Sequence, residues 1–99
     1  MTIAKISDIT AANLAEFIRL PDPTVDDYTT LNTLLDVAVA YMEQYTGHTS
    51  EELDEYQDCV IVAMVLVQDM WDNRSMYVDT TNTNKVVESI LNLHQANLL

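Results

Sequence analysis

The sequence predicts an all-α fold, a small bundle of about four helices around a long central apolar helix, with an exposed loop before the last helix. Helix-breaking residues are rare, because the 99 residues include one glycine and two prolines. Apolar residues recur at spacings of three and four in several segments, which is typical of amphipathic helices. The stretch from Cys59 to Val67 is apolar at every position, which predicts a helix buried on all sides.

The first two helices are defined by their ends. Thr10 is a candidate N-cap for a helix over 11–20, which the Pro-Asp-Pro segment at 21–23 ends because proline disfavours the helical conformation in the residue before it. A second helix is predicted over 25–46. Gly47, the only glycine, follows its last periodic residue, at the position where a left-handed residue ends many helices.

The third helix is predicted over 50–74 as one continuous element, with Thr49 or Ser50 as its N-cap. Periodicity alone does not separate a buried strand from a buried helix in the apolar run, so the flanks decide. Tyr56 upstream and Trp71 downstream continue a helical spacing. The run is shorter than the roughly 20 apolar residues that a bilayer-spanning helix needs, so no membrane span is expected.

After the third helix, the segment 75–84 is rich in threonine and asparagine, which predicts an exposed loop or a short hairpin. Irregular segments of this length often carry function. Asn84 is the candidate N-cap of a last helix over 85–95. Together the four helices are expected to form a single domain over residues 1–99.

Cys59 is the only cysteine, and its place inside the apolar run predicts that it packs in the core. One cysteine allows neither an intramolecular disulfide nor a zinc site of several cysteines, and nothing indicates secretion. The N-terminus has no basic segment leading into an apolar one. We therefore expect no signal peptide and synthesis in the cytoplasm.

Acidic residues dominate the composition, with 16 Asp and Glu against 4 Lys and Arg and a net charge of −12. No lysine or arginine stands between Arg19 and Arg74. Because phosphate contacts need clustered bases, we expect no sequence-specific nucleic-acid binding and no binding to an anionic membrane. The acidity either provides solubility or forms a surface that repels nucleic acid, and the sequence leaves both open.

The many carboxylates raise the question of catalysis and metal binding. A catalytic carboxylate pair needs burial or a like-charged partner, and the acids of the third helix indicate a solvated face instead. The acids at 51–55 lack the spacing of a calcium loop, which leaves loose cation binding as the minor alternative. Neither His48 nor His94 has a His or Cys partner at ligand spacing. We therefore predict no enzyme, no cofactor and no metal.

Four aromatic residues, Tyr41, Tyr45, Tyr56 and Trp71, fall at helical intervals. This spacing predicts roles in helix packing, with a subunit interface as the alternative. Arg74 is the only base in the central half of the chain. Its charge suits a helix C-terminus, and a specific ion pair or subunit contact is an equal interpretation.

Two short motifs stand in a characteristic order. Tyr45-Thr46-Gly47 closes the second helix, and Trp71-Asp72-Asn73-Arg74 closes the third after the long apolar run. With Ile18-Arg19-Leu20 ending the short first helix and an acidic start to the second, the chain resembles the head–tail connector (adaptor) family of tailed bacteriophages, small all-helical proteins often labelled as possible DNA-packaging proteins. The resemblance extends over nearly the whole chain, including the apolar positions of the closing helix.

The sequence departs from the family pattern at three places. His48 follows the glycine where the family usually has a basic residue, and Asp72 follows the tryptophan where an aromatic residue is common. The segment from His94 to Leu99 replaces a short basic or proline-containing tail. These departures bear on the contacts at those places and leave the helix layout unaffected.

The resemblance implies a structural virion protein at the head–tail junction, made in the cytoplasm of the bacterial host. Such proteins form a homo-oligomeric ring of about a dozen copies below the capsid portal, which extends the DNA channel and docks the next protein. The implied partners are further copies of the chain, the portal protein and a tail or head-completion protein. DNA would pass without specific binding, and no membrane would take part.

The resemblance and the expected exposure select two groups of candidate residues. Candidate portal or subunit contacts are Trp71, Asn73, Arg74, Tyr77, Val78 and Lys85. Candidate acidic channel-facing residues are Glu51, Glu52, Asp54, Glu55, Asp58, Asp69 and Asp72. The alternative function is an acidic helical regulator or DNA mimic that binds a basic partner protein through contacts that moderate salt reverses.

Overall fold

The computed structural model describes residues 3–78 and 84–95 of the chain. Within these residues, a 3-10 turn at Ile6–Asp8 precedes five α-helices, and no strand occurs. The helices are α1 (Ala11–Phe17), α2 (Val25–Thr46), α3 (Ser50–Leu53), α4 (Asp58–Asp72) and α5 (Lys85–Leu93). The predicted all-α fold is confirmed.

Helix α4 is the apolar centre of the fold. Eight of its 15 residues are buried. The long helix α2 packs along α4, and α1 and α5 also contact it. The fully buried leucines that α1, α2, α3 and α5 bring to the core are Leu14, Leu31, Leu34, Leu53 and Leu91. Burying a side chain of this size contributes about 1.5–3 kcal/mol through its transfer from water, so this core provides the main stabilisation of the fold.

One stripe of α4 differs from the prediction that the apolar run is buried on every side. Ile61 is 41% exposed, and Val65 is partly buried. These residues are four positions apart and therefore lie on the same face of the helix. Helix α1 ends at Phe17 on one side of this stripe and α5 packs on the other, so the described elements leave it uncovered.

Side-chain caps fix the helix starts where the sequence predicts them. The Thr10 hydroxyl accepts the N–H three residues further on at 3.1 Å, and the Asn84 side chain accepts the N–H two residues further on at 2.8 Å. Thr49, rather than Ser50, caps α3 in a reciprocal capping box with Glu52. Each cap stabilises its helix by about 1 kcal/mol. The predicted caps at Thr10 and Asn84 are confirmed.

Residues in the left-handed conformation end three of the helices. Gly47 follows α2 with a φ of 78°, so the predicted C-terminal glycine is confirmed, and α2 has the bounds that the pattern predicts. Arg19 and Arg74 take the same conformation after α1 and α4, with φ values of 57° and 54°. The turn at Arg19 ends α1 at Phe17, and the predicted helix over 11–20 is therefore too long.

The predicted continuous helix over 50–74 is wrong, because α3 and α4 are separate. Residues 54–57 form tight turns with i to i+3 backbone hydrogen bonds of 3.0 and 3.1 Å. A continuous helix would place Asp54 and Asp58 one turn apart, where like charges destabilise a helix. In the break, a carboxylate oxygen of Asp54 instead accepts the backbone N–H of Ser7 at 3.1 Å. The break thus ties the N-terminal segment to the end of α3.

The predicted loop over 75–84 is described at 75–78 and at Asn84, where the backbone is irregular, and residues 79–83 lie outside the described part. The Ser75 hydroxyl donates to the carbonyl oxygen of Tyr77 at 3.3 Å. Helix α5 ends at Leu93, two residues before the predicted end. Among the helices described here, none is both long and apolar enough to cross a membrane.

Candidate functional site

The first of the two resemblance motifs, at the end of α2, joins this helix to α5. The Tyr45 hydroxyl donates to Asn92 Oδ1 at 2.6 Å. The next residue, Thr46, is buried, and its hydroxyl donates to the carbonyl oxygen of Met42 at 2.7 Å. Gly47 then reverses the chain. Each residue of this motif therefore has a structural role inside one copy of the protein.

The second motif ends α4 and holds three of the candidate contact residues. Asn73 Nδ2 donates to the carbonyl oxygen of Asp69 at 2.8 Å, and the guanidinium carbon of Arg74 lies 5.8 Å from the centroid of the Trp71 ring. The backbone closes a Schellman turn, in which the N–H of Ser75 donates to the carbonyl oxygen five residues earlier at 3.0 Å. The two ion pairs within residues 3–78 and 84–95 involve histidines, so the observed contact of Arg74 is the aromatic one.

The six candidate contact residues divide between two surfaces. Beside Trp71 and Arg74, a groove of about 240 Å³ lies between α4 and the start of α2. Tyr77 follows this groove and is exposed, and Val78 is partly buried. Lys85 is exposed at the start of α5, next to a different groove that contains Ile61 and Val65. Among the described residues, Lys85 borders a groove that is separate from the one beside Trp71 and Arg74, and the roles of all six residues as contacts stay a prediction.

The candidate channel-facing acids lie in two groups at opposite ends of α4, about 20 Å apart along its axis. Near α3, the carboxylates of Asp54 and Asp58 are engaged in hydrogen bonds with other elements. Within the described residues, Glu51, Glu55 and Asp72 are exposed and form no hydrogen bond or ion pair through their carboxylates. Asp69 is exposed as well, and its carboxylate likewise forms no hydrogen bond or ion pair among the described residues. These four acids are the members of the set that are not engaged within one copy of the chain.

Two of the seven candidate acids have shifted pKa values with identifiable causes. Glu52 accepts the backbone N–H of Thr49 at 3.0 Å and lies 3.4 Å from His48 Nδ1. The hydrogen bond from Thr49, followed by the one from His48, holds the pKa of Glu52 below its ordinary value. At the other end of α4, partial burial and then the charge of Asp72 raise the pKa of Asp69. Glu52 is thus a structural cap.

Two shallow apolar grooves of about 280 and 200 Å³ meet at Ile61 on the uncovered stripe of α4. We call the residues that line them the Ile61 surface: Ile3, Phe17, Gln57, Val60, Ile61, Val62, Met64, Val65, Asn84, Val86, Val87 and Ile90. None of these residues is charged, although the chain has 16 acids. Ile61 and Val86 are the exposed apolar side chains of this surface, and four of its other residues are buried beneath them: Val60, Val62, Met64 and Val87. The Ile61 surface is therefore a small apolar area that is open to contact with another molecule.

A polar cluster joins the start of α4 to the end of α5. His94 Nε2 lies 2.8 Å from each carboxylate oxygen of Asp58, and the thiol of Cys59 is buried beside them. The His94 ring stacks on the Tyr56 ring with centroids 4.0 Å apart and an angle of 25° between the ring planes. The His48 ring approaches the same tyrosine at 5.8 Å. Both histidines of the chain therefore pack against Tyr56.

The cluster does not activate Cys59 as a nucleophile. Burial, together with the negative charge of Asp58, raises the pKa of the Cys59 thiol to about 11, so the sulfur is protonated near neutral pH. The ring nitrogen that a Cys–His pair would use as a base is engaged by Asp58 instead. In this arrangement Asp58, Cys59 and His94 present atoms that can bind a ligand.

Two features of the site had no signal in the sequence. His94 stands 36 positions after Asp58, and ligand-spacing rules detect only donors that are near one another in the chain. The Ile61 stripe was hidden because every face of the apolar run has apolar residues, which leaves no polar stripe to mark the outer side. Both features depend on where α5 packs.

The helix-end motifs, the Ile61 surface, the exposed acids and the polar cluster are the features on which a functional assignment can be based. Comparisons with protein-family models, with curated proteins and with solved structures found no match. The connector resemblance accordingly stays a prediction.

Proposed function

We propose that this chain is a head–tail connector protein, a structural subunit that forms a ring between the capsid portal and the tail of a bacteriophage. The observation that carries the proposal is the uncharged Ile61 surface on a chain with a net charge of −12. The order of the motifs at Tyr45–Gly47 and Trp71–Arg74 is the reason for choosing this family.

Copies with so much negative charge repel one another unless they meet through surfaces that keep carboxylates apart. The Ile61 surface meets this condition. Met76 and Tyr77 are exposed and follow the last turn of α4. This turn lies about 16 Å from Ile61 along the axis of the helix. We place Met76 and Tyr77 of one copy against the Ile61 surface of the next. Such a contact between two different surfaces is heterologous, and it forms a ring when the rotation between neighbouring copies closes.

The exposed acids give the proposed ring a channel wall to which DNA does not adhere, because DNA is held chiefly by basic contacts to its phosphates. Glu51 and Glu55 at one end of α4 and Asp69 and Asp72 at the other are the candidates. One end of α4 would face the lumen of the ring. Replacing the exposed acids at that end with lysine is expected to slow DNA passage and reduce infectivity. Unchanged packaging and infectivity after reversal at both ends would remove the channel assignment.

Ring assembly is tested by light scattering and negative-stain imaging, with and without a portal ring. Ile61→Asp places a charge in the centre of the proposed contact, at a position that is exposed enough for the fold to tolerate it. Val25→Asp is the matched control. Val25 is 80% exposed, lies outside the Ile61 surface and begins α2, where a negative charge is favourable.

The unmodified chain and Val25→Asp are expected to form rings, alone or on the portal, and Ile61→Asp is expected not to. Circular dichroism checks that both variants keep their helices. A persistent monomer or dimer that ignores the portal would contradict the proposal. Binding to a basic nucleic-acid-binding protein, reversed by moderate salt, would then favour the acidic regulator or DNA mimic.

A further inference from the structure

Three side chains with different metal-binding atoms converge where α4 begins and α5 ends. Asp58 and Cys59 lie in the first turn of α4, and His94 directly follows α5. A carboxylate oxygen, the sulfur and a ring nitrogen of these residues all lie within 4.8 Å of one another. Packing between two helices produces this convergence, which distinguishes it from a run of acids on one exposed face.

We propose that Asp58, Cys59 and His94 bind one Zn²⁺ ion, independently of ring assembly. Oxygen, sulfur and nitrogen donors together are a set that zinc accepts, with Zn–N distances of about 2.0–2.1 Å and Zn–S distances of about 2.3 Å. Around a tetrahedral ion, these distances place the ligand atoms about 3.3–3.6 Å apart. Asp58 and His94 are 2.8 Å apart, so the widest pair includes the Cys59 sulfur, and it needs to close by at most roughly 1 Å. Small rotations of the Asp58 and Cys59 side chains provide this.

The imidazole is held in position by contacts that do not involve an ion. The ring of His94 stacks on Tyr56 at 4.0 Å. The end of α5 is fixed by Tyr45, whose hydroxyl donates to Asn92 at 2.6 Å and whose carbonyl oxygen accepts from the side chain of Gln95 at 3.3 Å. Ligands that are already ordered cost less entropy to assemble around a metal, so this rigidity favours binding.

The exposure of the three side chains gives an ion a way in. The Asp58 side chain is 41% exposed and that of His94 is 15% exposed, whereas Cys59 is fully buried. An ion therefore enters from the side of Asp58 and meets the sulfur at the closed inner side of the cluster. Three protein ligands leave the fourth tetrahedral position to a water molecule, which the open side admits.

Zinc binding exchanges protons for the metal. The Cys59 thiol is protonated in the metal-free chain, because burial raises its pKa. On binding, the S–H bond breaks, the Zn–S bond forms and the proton passes to solvent. In the metal-free chain His94 Nε2 donates its proton to Asp58, so this proton also leaves Nε2, and the neutral ring keeps its remaining proton on Nδ1. The freed Nε2 lone pair and one oxygen of Asp58 complete the set. The charge of the ion then offsets the charge of the buried thiolate.

The test uses the untagged chain, reduced and freed of metal. Calorimetric titration with Zn²⁺ is expected to show one ion bound per chain, and Zn²⁺ is expected to raise the unfolding temperature because it binds the folded state. Titration with Co²⁺ is expected to produce a thiolate-to-cobalt charge-transfer band. This band reports the sulfur ligand directly in the unmodified chain and does not depend on any variant folding.

Three variants remove one ligand each: Asp58→Asn, Cys59→Ala and His94→Gln. Each is expected to weaken Zn²⁺ binding by at least about ten-fold, and Cys59→Ala is expected to abolish the charge-transfer band. His48→Gln is the matched control, because His48 also faces a carboxylate, that of Glu52, at 3.4 Å. This control is expected to bind zinc as the unmodified chain does.

The absence of both a calorimetric signal and a charge-transfer band in the unmodified chain would overturn the proposal. So would Zn²⁺ binding that Cys59→Ala leaves at full strength, because the sulfur is central to the assignment. An equal loss of affinity in His48→Gln would also overturn it, because the ion would then bind elsewhere. None of these outcomes bears on ring assembly, which is measured separately.

Discussion

The two ends of α4 are completed in different ways. At its first turn, the carboxylate of Asp58 bonds to His94, which comes from the end of α5, and His94 stacks on Tyr56. At its last turn, the hydrogen bonds are local: Asn73 reaches the carbonyl oxygen of Asp69, and the Arg74 side chain lies near the Trp71 ring one turn earlier. The first end is thus held by contacts with a distant helix, and the last end is held by contacts between neighbouring residues of the chain.

This difference separates the parts of the molecule that set stability from those that are available to a partner. Contacts at the first end cannot change without moving α5, because they span two helices. At the last end, Met76 and Tyr77 are exposed, and a partner can cover them without breaking any hydrogen bond of the core. Substitutions at the first end should therefore change the free energy of unfolding, and substitutions just beyond the last end should change the proposed ring assembly.

The largest expected change in the free energy of unfolding comes from weakening the packing of α5, the helix that contacts the first turn of α4. Leu91 is fully buried, and Leu91→Ala is expected to lower the free energy of unfolding by about 2–5 kcal/mol through lost burial and the cavity left behind. Leu93→Ala on the same helix is the control, because Leu93 is 75% exposed and its loss is expected to change stability by less than about 0.5 kcal/mol. Urea unfolding measures both, and equal losses would show that α5 does not pack as described.

The next effect concerns the polar cluster itself. His94→Ala removes the contact with Asp58 and the stacking on Tyr56, and we expect a loss of about 1–3 kcal/mol. His48→Ala is the comparison, because its contacts with Glu52 at 3.4 Å and with Tyr56 at 5.8 Å are longer. Chemical denaturation without metal should show the smaller loss for His48→Ala. A loss at His48 that equals or exceeds the loss at His94 would contradict the comparison.

The sequence predicted the features that depend on local chemistry. Thr10, Gly47 and Asn84 mark helix ends through hydrogen bonds and backbone conformations within a few residues, so composition and spacing are enough to find them. The all-α fold follows for the same reason. The early end of α1 was missed because Arg19 takes a left-handed conformation that arginine rarely adopts.

The features that depend on tertiary packing were not predictable. The break at 54–57 arises where Asp54 bonds to Ser7 from the N-terminal segment, a contact between distant parts of the chain. The same holds for the candidate sites. Asp54 and Asp58 were grouped with the channel-facing acids, yet both bond to other elements, and this could not be known before the positions of the N-terminal segment and of α5.

The two left-handed arginines permit a smaller test. The left-handed conformation costs a residue with a Cβ roughly 1–2 kcal/mol, and glycine avoids this cost but loses more entropy on folding. Arg19→Gly is therefore expected to raise stability by about 0.5–1 kcal/mol. At Arg74 the same change also removes the contact with the Trp71 ring, so Arg74→Gly should gain less. Thermal unfolding of both variants measures this, and a larger gain at Arg74 would show that the ring contact contributes nothing.

The smallest expected effect is a pH dependence at the last turn of α4. Partial burial and the charge of Asp72 raise the pKa of Asp69 above its ordinary value of 3.8. The folded chain therefore binds this proton more tightly than the unfolded chain, and the charged form destabilises the fold at neutral pH. Asp69→Asn removes the charge and should raise the unfolding temperature at neutral pH. The gain should shrink as the pH falls and vanish below 3.8, where Asp69 is protonated in both states.

Glu52→Gln should behave in the opposite way, because hydrogen bonds from Thr49 and His48 lower the pKa of Glu52 from its ordinary value of 4.5. The charged form of Glu52 stabilises the fold above that value, and this contribution disappears as the pH falls through the lowered pKa. Glutamine retains a side-chain oxygen for the capping box, so the substitution isolates the charge. Thermal unfolding of both variants from about pH 3 to pH 7 should therefore give differences of opposite sign at neutral pH that converge towards zero in acid. Differences of the same sign would mean that overall charge repulsion, and not the local surroundings of each carboxylate, governs the pH dependence of this protein.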